Sequence, residues 1–363
     1  MSRRAVIVGA GPAGLSASIG LSRLGFQVEV FEQRKDWAPR VCGAFLSPEA
    51  QRHLNWLRIG SEIREMGAPC PQVQVHALGQ RKVFSIEQKG TTGHAVPRKT
   101  LEDILLRQAL SEGVRVRFGQ KLLEEPACDL FVAAGGKFSA FQNEGFGKNK
   151  PKEGWVAFHA EFNGAAQKPG ELSLHFFPGA YAGTLSFSDG TTNLSGLVHS
   201  RFRQKHPGSW EETLAMMKEK DPGLGDLLKN AVRSSPFIGI PFLPFGSRLV
   251  QRQKHFFAGD NAMVCDPFMG EGIARSLGAG PALFLSLKNG LTGPRWKEEG
   301  LKNYIRICKE SYAARAQLGG ILRWNIKTSL GIFALTQGIA GIPLIRSWVL
   351  GRAHRPPAWT EAH

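Results

Sequence analysis

No two cysteines of this 363-residue chain stand in a C-x-x-C pair. The five present, Cys42, Cys70, Cys128, Cys265 and Cys308, are odd in number and widely spaced. That argues against a disulfide framework and a structural zinc site, assigns no metal ligands, and favours a reducing, cytoplasmic compartment. Internal repeats and low-complexity blocks are also lacking. Lysine plus arginine (46) exceed aspartate plus glutamate (30), a formal net charge of +16, yet the basic residues form no long run. They match no zinc-finger or RNA-binding signature, so nucleic acid is not an expected partner. The basic excess does raise attraction to anionic ligands and acidic membrane surfaces. With 42% apolar and 21% charged residues the chain is globular, long enough for one large or two interwoven domains.

The opening "MSRRAVIVGAGPAGLSASIG" mimics a secretory or twin-arginine signal, with an Arg pair, an apolar run and small residues. The same residues also read as a strand, a glycine turn and a helix, and that reading is preferred because it continues coherently. Ala5–Val8 suits a buried parallel strand. Leu15, Ile19 and Leu24 then recur at near-helical spacing before Gly25, and Gln27–Phe31 forms a second strand ending at Glu32. This is a βαβ opening. Lys99–Gly113 predicts a helix with Leu101, Ile104, Leu105 and Ala109 on one face, followed by strands at Val114–Phe118 and Leu130–Ala134. Short β-like runs dominate from about Glu153 to Phe242, with Asp189-Gly190 as a hairpin signal. His255–Ala258 reads as another buried strand and Gly270–Leu285 as a helix rich in small residues. From about Lys302 the chain reads as helical. Thr328–Ile345 has no formal charge, but Gly331, Gln337, Gly338, Gly341 and Pro343 make it a poor membrane span and predict a buried or interfacial helical hairpin.

Two motifs carry chemistry. Gly9-x-Gly11-x-x-Gly14 is common by itself, but here it follows a strand, opens a helix and precedes an acid at the end of the next strand. Gly9 permits the tight turn, Gly11 lets backbone amides approach a pyrophosphate, and Gly14 allows close packing of the helix. Pro12 and Ala13 complete the turn, and the helix N-terminus favours anionic phosphates. Glu32 is placed to accept hydrogen bonds from a ribose 2′-hydroxyl, and it would repel a 2′-phosphate, so the tightly bound dinucleotide should not be NADP. The second motif, "FFAGDNAMVCDPFMGEGIARSLGAG", follows a buried strand with Gly259-Asp260 and then a Pro-Gly turn into a helix. Asp260 can bond a sugar or ribityl hydroxyl, and amides around Gly270–Ile273 can stabilise negative charge on a reduced ring system.

With these motifs, the "CG-x-x-LSP" stretch at Cys42 and "VPRKTLEDIL" with Arg98, the first 290 residues or so resemble FAD-dependent oxidoreductases of the hydroxybenzoate-hydroxylase fold, particularly the geranylgeranyl-reductase-like branch. The resemblance implies an α/β architecture: a Rossmann-like FAD-binding domain, an inserted, mainly antiparallel β-sheet substrate domain, and a helical C-terminal region. The expected boundaries are 1–70, 95–150 and 245–290 for the discontinuous FAD domain, 71–94 and 151–244 for the β domain, and 291–363 for the helical region. It implies FAD as cofactor, held by Gly9, Gly11, Pro12, Ala13, Gly14, Glu32, Gln33, Arg40, Cys42, Gly43, Arg98, Gly259, Asp260, Pro267, Gly270, Gly272 and Ile273. Glu32 would bind the adenosine ribose, Asp260 the ribityl chain, and Pro267–Gly272 the pyrimidine edge of the ring.

The aromatic hydroxylases of this fold carry an Asp-Gly motif serving FAD and NAD(P)H. "AAGGKFSAF" has Gly135 in place of that aspartate, with no arginine after it. The sequence therefore favours a reductase or dehydrogenase of an apolar, lipid-like or polyketide-like small molecule, with peripheral membrane contact left open and NAD(P)H as a transient donor. The alternatives are an NAD(P)H-dependent flavin monooxygenase of an aromatic substrate and a non-catalytic FAD-binding factor. Arg98 can serve the flavin or pair with Glu102 or Asp103. His175 and His199, on inserted strands, read as structural, and Cys265 as a small buried hydrophobe. The resemblance implies that the Cys42-Gly43 loop lies across the flavin's reactive face, which makes Cys42 the candidate catalytic residue, touching substrate or ring, with packing as the competing role.

Overall fold

The computed structural model describes residues 2–37, 39–87, 90–141, 154–247, 254–267 and 270–341, without the side chains of 313–315 and 338–341. Five parallel strands form one sheet, in the order Phe256–Phe257, Leu130–Ala133, Arg4–Val8, Gln27–Glu32, Arg115–Phe118. Their central residues are apolar without alternation, as a sheet covered on both faces requires; Val6, Ile7, Phe131, Val132 and Phe256 are fully buried. Burying each of these side chains contributes roughly 1.5–3 kcal/mol. The helix expected from Lys99 is Arg98–Ser111, and its stripe Leu101, Ile104, Leu105 and Ala109 is buried.

The helix Pro12–Ser22 packs directly on Ala279–Leu287. Small residues make that possible. A Cβ on Gly20 would lie 2.5 Å from the Gly280 carbonyl oxygen, and Gly280 N donates to Ser16 Oγ at 3.0 Å. The single helix expected over Gly270–Leu285 is instead two, Gly272–Leu277 and Ala279–Leu287. Gly278 sits at the junction, where a Cβ would lie 2.6 Å from the Tyr312 hydroxyl and 3.1 Å from His53 Nε2. Side chains far away in sequence thus require glycine at the junction, which spacing alone does not reveal.

The second sheet runs in the order Val232–Arg233, Trp155–Asn163, Thr192–His199, Ala180–Ser186, Leu172–Phe177, Gln72–Ala77, Gln80–Ser85, with Ile238–Ile240 also on Trp155–Asn163. It is antiparallel except where Leu172–Phe177 lies parallel to Gln72–Ala77. The Asp189-Gly190 turn joins two of its strands; Gly190 has φ +84° and Thr191 N donates to Asp189 Oδ1 at 2.9 Å. Alternation gives the sheet two different faces. Ala160, Phe162, Ala182, Leu194 and Val198 pack on the helices Trp210–Lys220 and Pro222–Leu227. Val75, Leu174, Phe176, Tyr181 and Leu197 point the other way, into a cavity.

The chain then forms a 30-residue helix, Trp296–Asn325, whose buried Tyr304 donates to the Phe257 carbonyl at 2.9 Å. After a turn at 326–328 comes the helix Ser329–Gly341. The hairpin expected within Thr328–Ile345 is thus a single helix over its described part, with the turn ahead of it; residues 342–345 lie outside the described residues. No described helix is long and apolar enough to cross a membrane.

Candidate active site

The carboxyl ends of adjacent parallel strands carry the two sequence motifs and the "AAGGK" segment. Gly9 leaves Arg4–Val8 with φ +98°, and a Cβ there would meet the Ala134 carbonyl oxygen at 2.5 Å. Gly14 cannot carry a side chain, since its Cβ would lie 1.8 Å from the Gly9 carbonyl oxygen. Glu32, at the end of the neighbouring strand, accepts from Ala10 N at 2.9 Å and from Arg34 N at 3.1 Å. The acid that spacing assigns to a ribose therefore also clamps the glycine turn.

Gly11 differs. Its backbone is extended (φ −68°, ψ 176°) and caps the helix Pro12–Ser22 without a side-chain acceptor. The nearest atoms to a Cβ on Gly11 are Arg40 Nη1 at 3.6 Å and Arg98 Nη2 at 4.0 Å. Two guanidinium groups thus hang over a helix N-terminus whose first amides have no intrahelical acceptor. Arg98 Nε donates to Glu102 Oε1 at 2.8 Å, and Arg40 Nε lies 4.0 Å from the same oxygen. Glu102 is only 1% exposed. One buried carboxylate therefore holds two arginines, and a net positive charge faces the turn. Burial lowers the Arg40 pKa against the pull of Glu102. For Arg98, burial acts downward but Cys42 and Glu102 more than reverse it. Asp103, the other candidate partner of Arg98, pairs with Lys99 at 2.6 Å.

Opposite this charge stands Asp260. Lys137 Nζ lies 2.7 Å from one carboxylate oxygen and Arg275 Nη2 lies 2.7 Å from the other. Burial raises the Asp260 pKa, but the two cations outweigh it and hold it at about 2. Arg275, 4% exposed, also donates to the Met263 and Gly259 carbonyls. The sequence reading missed both cations. Lys137 had a signal, as the cation that follows the Gly135-Gly136 pair where an arginine was sought. Arg275 had none, because only the fold brings it back over Asp260.

The two charged clusters border one continuous cavity of about 680 Å³. Of the expected site residues, Gln33, Arg40, Cys42, Gly43, Arg98, Asp260, Pro267, Gly270, Gly272 and Ile273 line it. Gly9, Gly11, Pro12, Ala13, Gly14 and Glu32 form the turn behind it, and Gly259 packs against Ala13, where a Cβ would come within 2.6 Å. The far wall is the apolar face of the second sheet, closed by Leu322, Ile326, Ile332 and Leu335 of the last two helices. Tyr181 on that wall has its pKa raised, by burial first and by Asp266 next.

The Cys42 loop lies between the two halves. Cys42 Sγ accepts from Ala44 N at 3.3 Å and lies 3.8 Å from Arg98 Nη1. Asn193, from the second sheet, donates to the Cys42 carbonyl at 2.8 Å. Ala44 takes φ +55°, a strained value for a residue with a side chain. A Cβ on Gly43 would stand 3.7 Å from Ser195 Oγ, an ordinary contact, so the sheet alone does not demand glycine there. Cys265 also lines the cavity, and burial pushes its pKa up.

The histidines lie elsewhere. His199 caps the helix Ser200–Lys205, accepting from Arg201 N at 3.3 Å. His175 Nδ1 lies 2.7 Å from Asp221 Oδ2 on the sheet face away from the cavity, and its ring stacks on His76 at 4.5 Å and 26°. His76, His175 and Asp221 have metal-ligand chemistry. However, near-parallel stacked rings do not share an in-plane ion, as imidazole ligation requires, so the trio ties strand to helix cap.

The fit of these features to a dinucleotide has independent support. Arg40 Nε and Arg34 Nη1 are buried without hydrogen-bond partners, which an anionic phosphate would supply, and no atom lies within 4 Å of a Cβ on Gly272. Residues 3–129 match the family profile described as FAD binding domain. FAD is the chain's cofactor, and the α/β fold anticipated from sequence is the one found. A Klebsiella pneumoniae protein, HpxO, solved with FAD and uric acid, superposes with a TM-score of 0.78 at 18% identity, covering 98% of this chain and 97% of that one. Among curated proteins, an FAD-dependent monooxygenase of Arthrinium is 26% identical over 203 residues, 46% of this chain and 27% of its own. The menaquinone reductase of Mycolicibacterium smegmatis is 30% identical over 126 residues, 33% of this chain and 29% of its own. The chain thus matches less than a third of the length of either curated relative. The resemblance to the hydroxybenzoate-hydroxylase fold is carried by these matches; the geranylgeranyl-reductase-like branch is not.

Proposed function

We propose that the protein is an FAD-dependent monooxygenase of an apolar, ring-containing small molecule. The carrying observation is the single cavity that runs from Arg40, Arg98 and Asp260 to an apolar chamber under the second sheet. A cofactor with charged phosphates and a flat redox ring needs one polar end and one dry end, and this cavity has both. The likeness to monooxygenases supports this reaction over the reductase that the missing Asp-Gly motif favours, so the order of the two readings from sequence is reversed. The reductase remains the second reading, supported by the 30% identity to a menaquinone reductase and by Gly135.

Bound FAD would supply the electron transfer to oxygen. The chain's own residues do the rest. Arg40, Arg98 and the Pro12–Ser22 N-terminus hold the pyrophosphate, Glu32 the adenosine ribose, and Asp260 the ribityl hydroxyls. Pro267, Gly270, Gly272 and Ile273 border the ring, and the Cys42-Gly43 loop meets its reactive face. Leu174, Phe176 and Leu197 exclude water and orient the substrate. On that loop, Cys42 Sγ can hold a proton facing substrate.

The reaction is tested with purified, FAD-loaded protein and a panel of apolar aromatic compounds under labelled dioxygen. Incorporation of one oxygen atom into product, driven by NADH or NADPH, is expected. Product formed only without oxygen, by net hydride addition, establishes the reductase instead. With any compound turned over, Cys42→Ser is expected to lower kcat about tenfold with FAD affinity within twofold of wild type, roughly 1.4 kcal/mol in the barrier alone. Unchanged turnover makes the loop a wall only.

A further inference from the structure

Among the described residues, exposed large apolar side chains concentrate at one place. Ile321, Trp324, Leu330 and Phe333 fall within 13 residues around the turn between the last two helices, with Trp324 71% and Leu330 78% exposed. Leu78 and Val83, on the hairpin Gln72–Ala77/Gln80–Ser85, are 46% and 48% exposed. That hairpin lies against the last helix: Lys82 Nζ donates to the Thr336 carbonyl at 3.4 Å and to Gln337 Oε1 at 3.2 Å. Leu78, at the hairpin tip, and the four side chains of the last two helices thus form one rim built from two distant segments, while Val83 alternates to the other face of the hairpin. Isolated exposed leucines need no explanation, but a clustered set with a tryptophan does.

The charge at this rim has one sign. Lys327 is exposed among the apolar side chains, Lys82 meets only neutral oxygens, and Arg323 is paired with Asp266 at 2.8 Å. From Leu78 to Ile86, and from Ser311 to Thr360, the sequence contains no aspartate or glutamate. The whole chain carries +16. Exposed Trp, Phe and Leu next to unopposed Lys are what an interfacial segment needs: apolar groups to enter the acyl boundary and cations to meet acidic headgroups.

We propose that this rim docks on an anionic lipid bilayer. The same helices tie the docking face to the chamber. Leu322, Ile326, Ile332 and Leu335 line the cavity on one side, while Ile321, Trp324, Leu330 and Phe333 face outward. Docking therefore sets the chamber against lipid, and an apolar substrate enters it without crossing water. This last step rests on the proposed function; the docking itself does not.

The test is co-sedimentation of the full-length, FAD-loaded protein with phosphatidylcholine vesicles with and without 30 mol% phosphatidylglycerol (about a third anionic lipid, enough for a strong surface potential). At least tenfold stronger binding to the anionic vesicles is expected. The triple variant Trp324→Ser, Leu330→Ser, Phe333→Ser is expected to lose at least tenfold in binding while its FAD absorbance per protein stays that of wild type. If that variant fails to load FAD, Lys327→Glu replaces it and should lose at least about fivefold, as one cation near an anionic surface is worth roughly 1 kcal/mol. Three results overturn the proposal: no binding to anionic vesicles, binding that salt abolishes and that the serine variant retains in full, or a concentration-dependent dimer in sedimentation that the same substitutions dissolve, which makes a second copy the occupant. None of these readouts uses turnover, so their failure leaves the proposed reaction standing.

Discussion

Gly11→Val lowers FAD affinity at least about 100-fold, roughly 2.7 kcal/mol or more, while the apoprotein keeps its thermal stability within a few degrees. The reason lies in what surrounds the position. The backbone of Gly11 is extended and open to any residue, and an added Cβ meets only the tips of Arg40 and Arg98, at 3.6 and 4.0 Å. The fold has no need of glycine there. On the proposed reading a pyrophosphate does, because it would lie between the turn and those guanidinium groups to reach the helix amides. Gly14→Val is the control that fails differently. Its side chain would collide with the Gly9 carbonyl, so loss of folding is expected along with loss of FAD. Fluorescence titration with FAD, beside thermal melts of both apoproteins, checks the pair.

Asp260→Asn is expected to destabilise the protein by about 2–3 kcal/mol at pH 7, and to weaken FAD binding as well. Removing the carboxylate charge leaves Arg275, almost fully buried, without its counter-ion, and Lys137 without its partner. Loss of one partner from a buried pair costs more than the pair contributes, and the partial exposure of Asp260 keeps the figure at the lower end. The effect has a definite pH dependence. The folded-state pKa of Asp260 is about 2, below an unfolded value near 3.9. A depressed carboxylate contributes stability that is fully present above the unfolded pKa and is lost as pH falls toward the folded one. The gap in Tm between wild type and Asp260→Asn should therefore be widest near neutrality and shrink between about pH 4 and pH 2. A constant gap across that range would show that Asp260 acts by packing and not by charge.

What was legible in the sequence was local. The strand–turn–helix around Gly9, Gly11 and Gly14, the strand ending at Glu32, and the Asp189-Gly190 turn each follow from a few neighbouring residues, and all stand where expected. The inserted sheet was legible as a class, since alternation and turns announce antiparallel strands. Its parallel contact between Leu172–Phe177 and Gln72–Ala77 was not, because nothing local pairs segments about 100 residues apart. The same limit applies at the site. Glu102 reads as a surface acid in the first turns of an amphipathic helix, yet it is the buried anion that positions Arg40 and Arg98. Arg275 and Asn193 matter only because the fold delivers them to Asp260 and to the Cys42 carbonyl. Gly278, at the junction of two helices, is held to glycine by His53 and Tyr312, neither of which is near it in sequence.

We propose that the chain grips FAD mainly through its phosphates, between the glycine turn and the two arginines on Glu102. Equilibrium titration of the apoprotein with FAD and, separately, with riboflavin, followed by flavin fluorescence, tests this directly. One equivalent of FAD should bind saturably, and riboflavin, which has the ring and ribityl chain but no phosphate, should bind at least about 100-fold more weakly, consistent with two charge-assisted contacts of 1.5–3 kcal/mol each. Equal affinity for the two flavins, or no saturable binding of FAD, would contradict it.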